Sequence, residues 1–429
     1  MLSRRVYHWP PAMTRIDFDW NEHPGPREVV GELRRAGHEA WLAGGCVRDL
    51  LLGRVPKDFD VATSASPDQV RAAFRRTVPV KPELGVTLVL WEDERIETTT
   101  FRTEGAYLDG RRPSSVGPAT AEQDVQRRDF TINGLLLDPL SGEIADHVGG
   151  LADLRDGILR CIRDPGERFE EDHLRILRAV RFSVRFGFGI EAGTWEAMRA
   201  LSGKVARLSG ERIHEELSRM FESPFAPCLP LLRESGVLEA VSPALSEALG
   251  SAGVEERLAA LCAERLPSVD GLWPTVLLLP LCGWFLPESV DRPAERAGFL
   301  EKLRASRQEI DASRLCWERW PALLPPLSRP STLAPILRDR NWPVLRALVQ
   351  VQTDRGWAPI PPISELDGLS ASIPAAPPAL GVAFQEAGIP RGPRLGDAIR
   401  EADRRILDEG AIPDATLVRE VTEAILGAG

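Results

Sequence analysis

Strand-forming runs occupy only the first third of this chain, and that asymmetry restricts it to an α+β architecture with its sheet at the N-terminal side. Between about residues 25 and 150 the signals alternate. A helical stretch from Arg27 to Ala40 leads to a strand and turn at Trp41–Gly45, then a short helix through Leu50-Leu51-Leu52. A strand at Asp58–Ala62, a helix opened by Ser66-Pro67-Asp68, and strands at Thr87–Trp91 and Arg95–Phe101 follow; Ser-Pro-Asp supplies a cap and a first-turn proline. The order predicts a small mixed sheet with helices on one face. The stretch Thr103 to Thr120 is rich in Gly, Pro and Ser and reads as a mobile surface loop. Beyond about residue 150 helices are separated by proline-rich breaks at Pro321–Pro335 and Pro359–Pro378, implying two or three helical subdomains.

With 429 residues there is room for two to four compact units. The six cysteines (Cys46, Cys161, Cys228, Cys262, Cys282 and Cys316) include no CxxC pair, which argues against a disulfide framework or zinc site and for a reducing cytoplasm. The N-terminal MLSRRVYHWPPAM has no apolar run of signal-peptide length. The most apolar stretch, Leu272 to Pro287, is too short for a bilayer and is broken by Pro274 and Pro280, so it reads as a kinked core helix and no membrane role is expected. A net charge of −10 argues mildly against a protein that coats nucleic acid, although a site can be locally basic. Arg155, Arg160, Arg163, Arg168, Arg175, Arg178, Arg181 and Arg185 form such a local cluster.

Three constellations carry chemistry. In the first, Gly44-Gly45 follows an apolar run, and a turn without Cβ atoms lets backbone N–H groups approach a phosphate chain. Asp58 and Asp60 sit two apart just after it, which on a strand puts both carboxylates on one face and Phe59 and Val61 on the other. Glu97, if its strand neighbours this one, can face the same cleft. An isolated Asp-x-Asp is common in exposed turns; beside a phosphate-cradling turn and a third carboxylate it points to a two-Mg²⁺ phosphoryl or nucleotidyl transfer site. The second constellation is Arg127-Arg128-Asp129-Phe130-Thr131-Ile132-Asn133, with paired arginines suited to phosphate and Asp or Asn suited to ribose hydroxyls. The third runs from Asp164 to Phe182. Leu174, Leu177 and Phe182 form an apolar stripe there, while Asp172, Arg175 and Arg178 recur at helical spacing. The plain reading of that run is a solvated salt-bridge ladder. The sharper one is that a carboxylate and a guanidinium together accept cytosine or adenine and reject uracil and guanine. His173 beside Asp172 suggests a metal-dependent phosphohydrolase pair, but no histidine follows His214, so His173 reads as a helix-surface residue.

In that order, over roughly residues 40 to 220, these motifs resemble the class II tRNA nucleotidyltransferase and bacterial poly(A) polymerase family. The resemblance implies a nucleotidyltransferase head over 1–150, then an all-α neck (151–220), body (221–335) and tail (336–429), with tRNA along the helical part. It implies Asp58, Asp60 and Glu97 as catalytic Mg²⁺ ligands, Gly44, Gly45 and Arg48 at the triphosphate, and Arg127, Arg128, Asp129 and Asn133 at the ribose and phosphates. Asp172 and Arg175 would read the base, supported by Glu171, Arg178 and Arg181. Asp146, Gly149-Gly150 and Asp153 resemble the hinge between head and neck, Arg207 to Glu216 the segment that braces the base-reading helix, and Gly388 to Ile399 part of the tail.

The donors implied are CTP and ATP, the acceptor the tRNA 3′ end, and the product sequential C, C and A addition with pyrophosphate release. The loop with Asp109, Gly110, Arg111 and Arg112 is similar to the flexible loop associated with the switch to ATP, which favours full activity over CC-only addition. An A-adding sibling remains open. A poly(A) polymerase is disfavoured because Phe74 to Lys81 lacks a Gly-Arg-Arg-Phe patch. A non-catalytic RNA-binding relative is opposed by the intact Asp58, Asp60 and Glu97. Gly134 stands where the family often has alanine, with little consequence expected. No DNA partner is implied, and monomer and homodimer both remain open.

Overall fold

The computed structural model describes residues 15–105, 114–221, 227–243, 246–247, 293–324, 327–356, 361–374 and 379–427. It divides into two compact units, residues 1–247 and 248–429.

The first unit is organised by a seven-stranded mixed sheet. Helix α1 (Pro24–Arg35) precedes β1 (Ala40–Ala43), and a glycine turn opens α2 (Gly45–Leu51). Then come β2 (Asp60–Thr63), α3 (Pro67–Ala73), β3 (Thr77–Lys81), β4 (Val86–Trp91) and β5 (Glu94–Thr100). Ser66 caps α3 with a full capping box, its side chain accepting from Gln69 N and Gln69 returning the bond. The short strands β6 (Arg102–Glu104) and β7 (Val116–Pro118) pair with each other. Helix α4 (Ala121–Gln126), strands β8 (Leu135–Leu137) and β9 (Ile144–Asp146), and α5 (Gly150–Asp156) follow. The sheet order is β3-β4-β5-β2-β1-β8-β9, and β2 and β5 run parallel with Asp60 opposite Glu97.

The faces of the sheet differ. Glu94 and Ile96 of β5 lie against Gly25 at the start of α1, with Glu94 Oε2 accepting from Gly25 N at 2.7 Å. On the opposite face, Ala43, Ala62 and Leu136 pack with Ala121 and Val125 of α4. Helices therefore cover one face broadly and the other over the β2-β1-β8 half.

Helices α6 (Pro165–Glu171) and α7 (Leu174–Phe186) come next in the first unit, after β10 (Ile158–Leu159), which pairs with β11 (Gly189–Ile190). Helices α8 (Ala192–Leu201) and α9 (Gly210–Phe221) follow. Asp146 caps α5, accepting from Val148 N, Gly150 N and Leu151 N at 3.0–3.1 Å. At Gly134 a Cβ would lie 2.7 Å from Val148 Cγ2, so neighbours have filled the space alanine would use.

In the second unit, Phe384, Ile389, Ala398, Ala402, Leu417, Val418 and Val421 form a core among the helices Gly381–Glu386, Pro393–Glu409 and Ala415–Gly427. Two of the expected proline breaks contain helices, Pro330–Leu337 and Ile363–Ser372. Pro330 sits in the first turn, where its missing N–H costs nothing. The apolar stretch Leu272–Pro287 lies outside the described residues.

Candidate active site

Three segments far apart in sequence meet in one cleft of about 520 Å³ in the first unit. Gly44, Gly45, Arg48 and Asp60 line it together with Arg127 to Asp129, Asn133, Asp172, Arg175, Arg178 and Arg181. Nine arginines against three aspartates make it basic within an acidic chain, which selects a polyanionic ligand. Gly44 holds φ +79°, ψ −131°, a conformation open to glycine, and a Cβ there would lie 2.8 Å from Arg128 Nη1. Gly44→Ala is accordingly expected to cost about 1–3 kcal/mol and to displace Arg128. Thermal melts and the nucleotide KM would both report it.

Asp60 begins β2, half-buried, directly opposite Glu97. Burial, then the charge of Glu97 and finally that of Asp58, raise its pKa to about 6, against a partial offset from Arg128. The strand placement of Asp58 is corrected: it occupies an exposed bend two residues before β2, because the ladder with β5 starts only at Asp60.

Arg127 and Arg128 are both held by Asp124 of α4, at 2.7 and 3.0 Å. Asp129 and Asn133 line the cleft and are largely enclosed by protein. Asp129 Oδ1 accepts from Phe130 N and Asn133 Nδ2, and Oδ2 accepts from Arg178 Nε and Nη2 at 2.8 and 2.6 Å. Burial alone would raise the Asp129 pKa, but the Arg178 charge and these hydrogen bonds hold it well below the usual carboxylate range. Asn133 Oδ1 in turn accepts from Arg48 Nη1 at 2.5 Å. Arg48 is buried, bonded to Asp49 and stacked on Phe186 with its guanidinium carbon 4.5 Å from the ring centre. One buried chain, Arg48–Asn133–Asp129–Arg178, thus joins the glycine turn to α7.

The predicted continuous helical ladder is broken. Asp172 has extended backbone between α6 and α7 and accepts from Leu174 N at 3.0 Å, starting α7. It pairs with Arg212 of α9, Nη1 to Oδ1 at 3.0 Å and Nη2 to Oδ2 at 2.9 Å, rather than with Arg175. Arg175 is buried and donates to Glu171 Oε2 and to the carbonyls of Arg168 and Arg127. Glu171 also accepts from Arg163 and Arg168, and Arg181 donates to Glu216 at 2.6 Å. These arginines form an enclosed lattice instead of a solvated face. His173 is likewise buried, not surface-exposed: its Nδ1 bonds the Phe169 carbonyl at 2.7 Å, closing the turn between the two helices.

A family model described as "Poly A polymerase head domain" matches residues 40–160, and one described as "Probable RNA and SrmB- binding site of polymerase A" matches residues 187–249. A CCA-adding enzyme of Streptococcus sanguinis is 34% identical over 400 residues, covering 90% of this chain and 93% of that protein. The chain belongs to the CCA-adding enzyme family. A CCA-adding enzyme of Streptococcus pyogenes is 46% identical over 197 residues, a match spanning 46% of this chain and 49% of the relative. The crystal structure of the Bacillus stearothermophilus CCA-adding enzyme in complex with CTP superposes with a TM-score of 0.72 at 27% identity, covering 94% of this chain and 98% of that one.

Nucleotidyltransferases of this family generally use a divalent metal ion. Asp58, Asp60 and Glu97 are hard oxygen donors whose mutual repulsion a cation would relieve, so the donor set fits. They do not form the closed cage expected from the sequence: among the described residues, no three Asp, Glu, His or Cys side chains are gathered closely enough to hold an ion unaided. The exposed bend at Asp58 is the physical reason, and substrate phosphates commonly complete such a coordination shell.

Sequence reasoning missed Asp124 and the individual roles of Arg168 and Arg212. Asp124 carried a signal, standing three and four residues before the arginine pair. Arg168 stood in the arginine cluster, but nothing in its own segment marked it as fully buried and donating to the Arg127 and Arg128 carbonyls. The loop residues Asp109, Gly110, Arg111 and Arg112 lie outside the described residues, as do Cys262 and Cys282. Cys46, Cys161, Cys228 and Cys316 are buried free thiols. No helix among the described residues is long and apolar enough to cross a membrane.

Proposed function

We propose that this nucleotidyltransferase adds C, C and A to the 3′ end of tRNA from CTP and ATP, without a nucleic-acid template. The observation carrying the reading is the convergence of the glycine turn, the Arg127–Asn133 segment and the start of α7 on one arginine-lined cleft. Gly44, Gly45 and Arg128 receive the triphosphate. Asp58, Asp60 and Glu97 hold Mg²⁺, which when bound acidifies the attacking 3′-hydroxyl and neutralises the leaving pyrophosphate. Residues 1–150 carry the chemistry, 151–220 read the base, and 221–335 with 336–429 hold the rest of the tRNA. A reducing cytoplasm suits the buried free cysteines.

Asp172 Oδ1 already accepts from Arg212 and Leu174 N, and Oδ2 from Arg212, which leaves an acceptor position on Oδ2 for an exocyclic amine. Asp172→Ala should therefore lower discrimination of CTP and ATP over UTP and GTP by about tenfold to a hundredfold, with tRNA affinity little changed. Single-nucleotide incorporation would show it, comparing CTP with UTP on a tRNA lacking its 3′ end and ATP with GTP on one ending in CC; wild-type selectivity in the variant would remove Asp172 from base reading. The activity itself is tested with a tRNA lacking its 3′ end, CTP, ATP and Mg²⁺, reading product length. Arrest at CC or an unlimited A tail would assign a sibling reaction.

A further inference from the structure

The sheet register carries the carboxylate row out to an open edge. Asp60 stands opposite Glu97, Glu97 opposite Leu88, and Leu88 opposite Val78, so these four side chains share one face across β2, β5, β4 and β3. The next row on that face holds Arg95 opposite Leu90, whose N–H bonds the Arg76 carbonyl. Helix α4 packs on this face at Ala62, Ala43, Leu136 and Phe101, and among the described residues the outer half is more exposed: Val78 is 44% exposed, Leu88 and Leu90 are half-buried, and Arg76 and Arg95 are exposed.

We propose that this face, from Glu97 outward to Val78, seats the single-stranded 3′ end of the acceptor RNA, with Leu88 and Val78 under the bases and Arg76 and Arg95 on the phosphates. The inference rests on the tRNA-extending reading above and names where that substrate enters. Charge complementarity argues for a polyanion. Arg76 and Arg95 have no ion pair with any described residue, in a unit where arginines are mostly bound to carboxylates. Continuity argues for the reacting end of the strand, because Val78 lies only two strand spacings, roughly 10 Å, beyond Glu97. The turn residues Glu92 and Asp93 border the platform and repel phosphate, which confines the track to the rows described. A second protein strand fits poorly, since Pro79 offers no N–H and the ladder is irregular between Pro79 and Lys81.

The test uses the full chain with Arg76→Ala/Arg95→Ala and, separately, Val78→Asp. Each should raise KM for tRNA lacking its 3′ end roughly tenfold while kcat and the CTP KM stay within about twofold, with melting temperature unchanged. In the double arginine variant the log–log slope of tRNA binding against salt should shrink by about 1.4, at roughly 0.7 per phosphate contact on a single strand. A photoreactive side chain at position 78 should crosslink to the last nucleotides of the acceptor. Wild-type KM and salt slope in the variants, or crosslinks to distant tRNA positions, would overturn the platform. A change in sedimentation of Val78→Asp without any change in tRNA KM would do so in favour of a second copy. Wild-type protein that extends no tRNA at all would instead overturn the functional reading.

Discussion

Asp60→Asn is expected to lose transfer on the order of a thousandfold or more while making the metal-free protein more stable. The loss follows because a cation contributes several kcal/mol of transition-state stabilisation, and each 1.36 kcal/mol is a factor of ten. The stability gain follows from the position of the carboxyl group, half-buried and facing Glu97, with a pKa raised to about 6 from 3.8. A folded-state pKa raised in this way means the native chain binds the extra proton between pH 4 and 6. Stability contributed by the neutral form is complete below pH 4 and is lost as pH rises through 6. At pH 7.5 the wild-type chain therefore carries a penalty of about 1–3 kcal/mol that asparagine removes. Melting curves in chelator should coincide at pH 4 and separate above pH 6, with the variant higher. Added Mg²⁺ should raise the wild-type curve and leave the variant nearly unmoved. If the two proteins melt together at every pH, the acidic cluster is not under the electrostatic strain assigned to it.

The elements that local pattern specifies were legible in the sequence. The β1–α2–β2 unit, the Ser66 cap of α3 and the β4 and β5 strands each carry a periodicity or a capping signal within a few residues. The edge strand β3 was not, since Val78, Pro79 and Val80 are all exposed and give no alternation. At the site, the glycine turn and the Asp60–Glu97 neighbourhood could be read because Gly44-Gly45 ends one apolar run and Asp60 and Glu97 each sit in another, and β2 and β5 then pair with the two carboxylates opposite. The lattice of Arg168, Glu171, Arg175 and Arg212 could not be resolved into partners. Its contacts join residues up to 48 positions apart, and an arginine aimed at a distant carbonyl leaves no mark on its own segment. The same reason explains His173, whose burial depends on how α6 turns into α7 rather than on the amphipathic pattern of either helix.

Arg178→Met is expected to be the most destabilising single change in the cleft, at about 3–5 kcal/mol near neutral pH. Among the described residues Arg178 is the one charged partner bonded to Asp129, whose Oδ1 accepts from Phe130 N and Asn133. In the wild-type chain the depressed pKa of Asp129 contributes stability that is present above pH 4 and lost as pH falls further. Without the guanidinium, burial dominates, and the same carboxyl group becomes costly to ionise. The deficit of the variant should then be large at pH 8 and shrink toward pH 5 as Asp129 takes up a proton, whereas a simple packing defect would cost the same at both. Urea denaturation at the two pH values separates these outcomes. Adding Asp129→Asn should recover most of the lost stability, because no buried charge remains. Nucleotide KM should recover less, since a neutral amide holds Asn133, and through it Arg48 beside Gly44, less firmly than a carboxylate does.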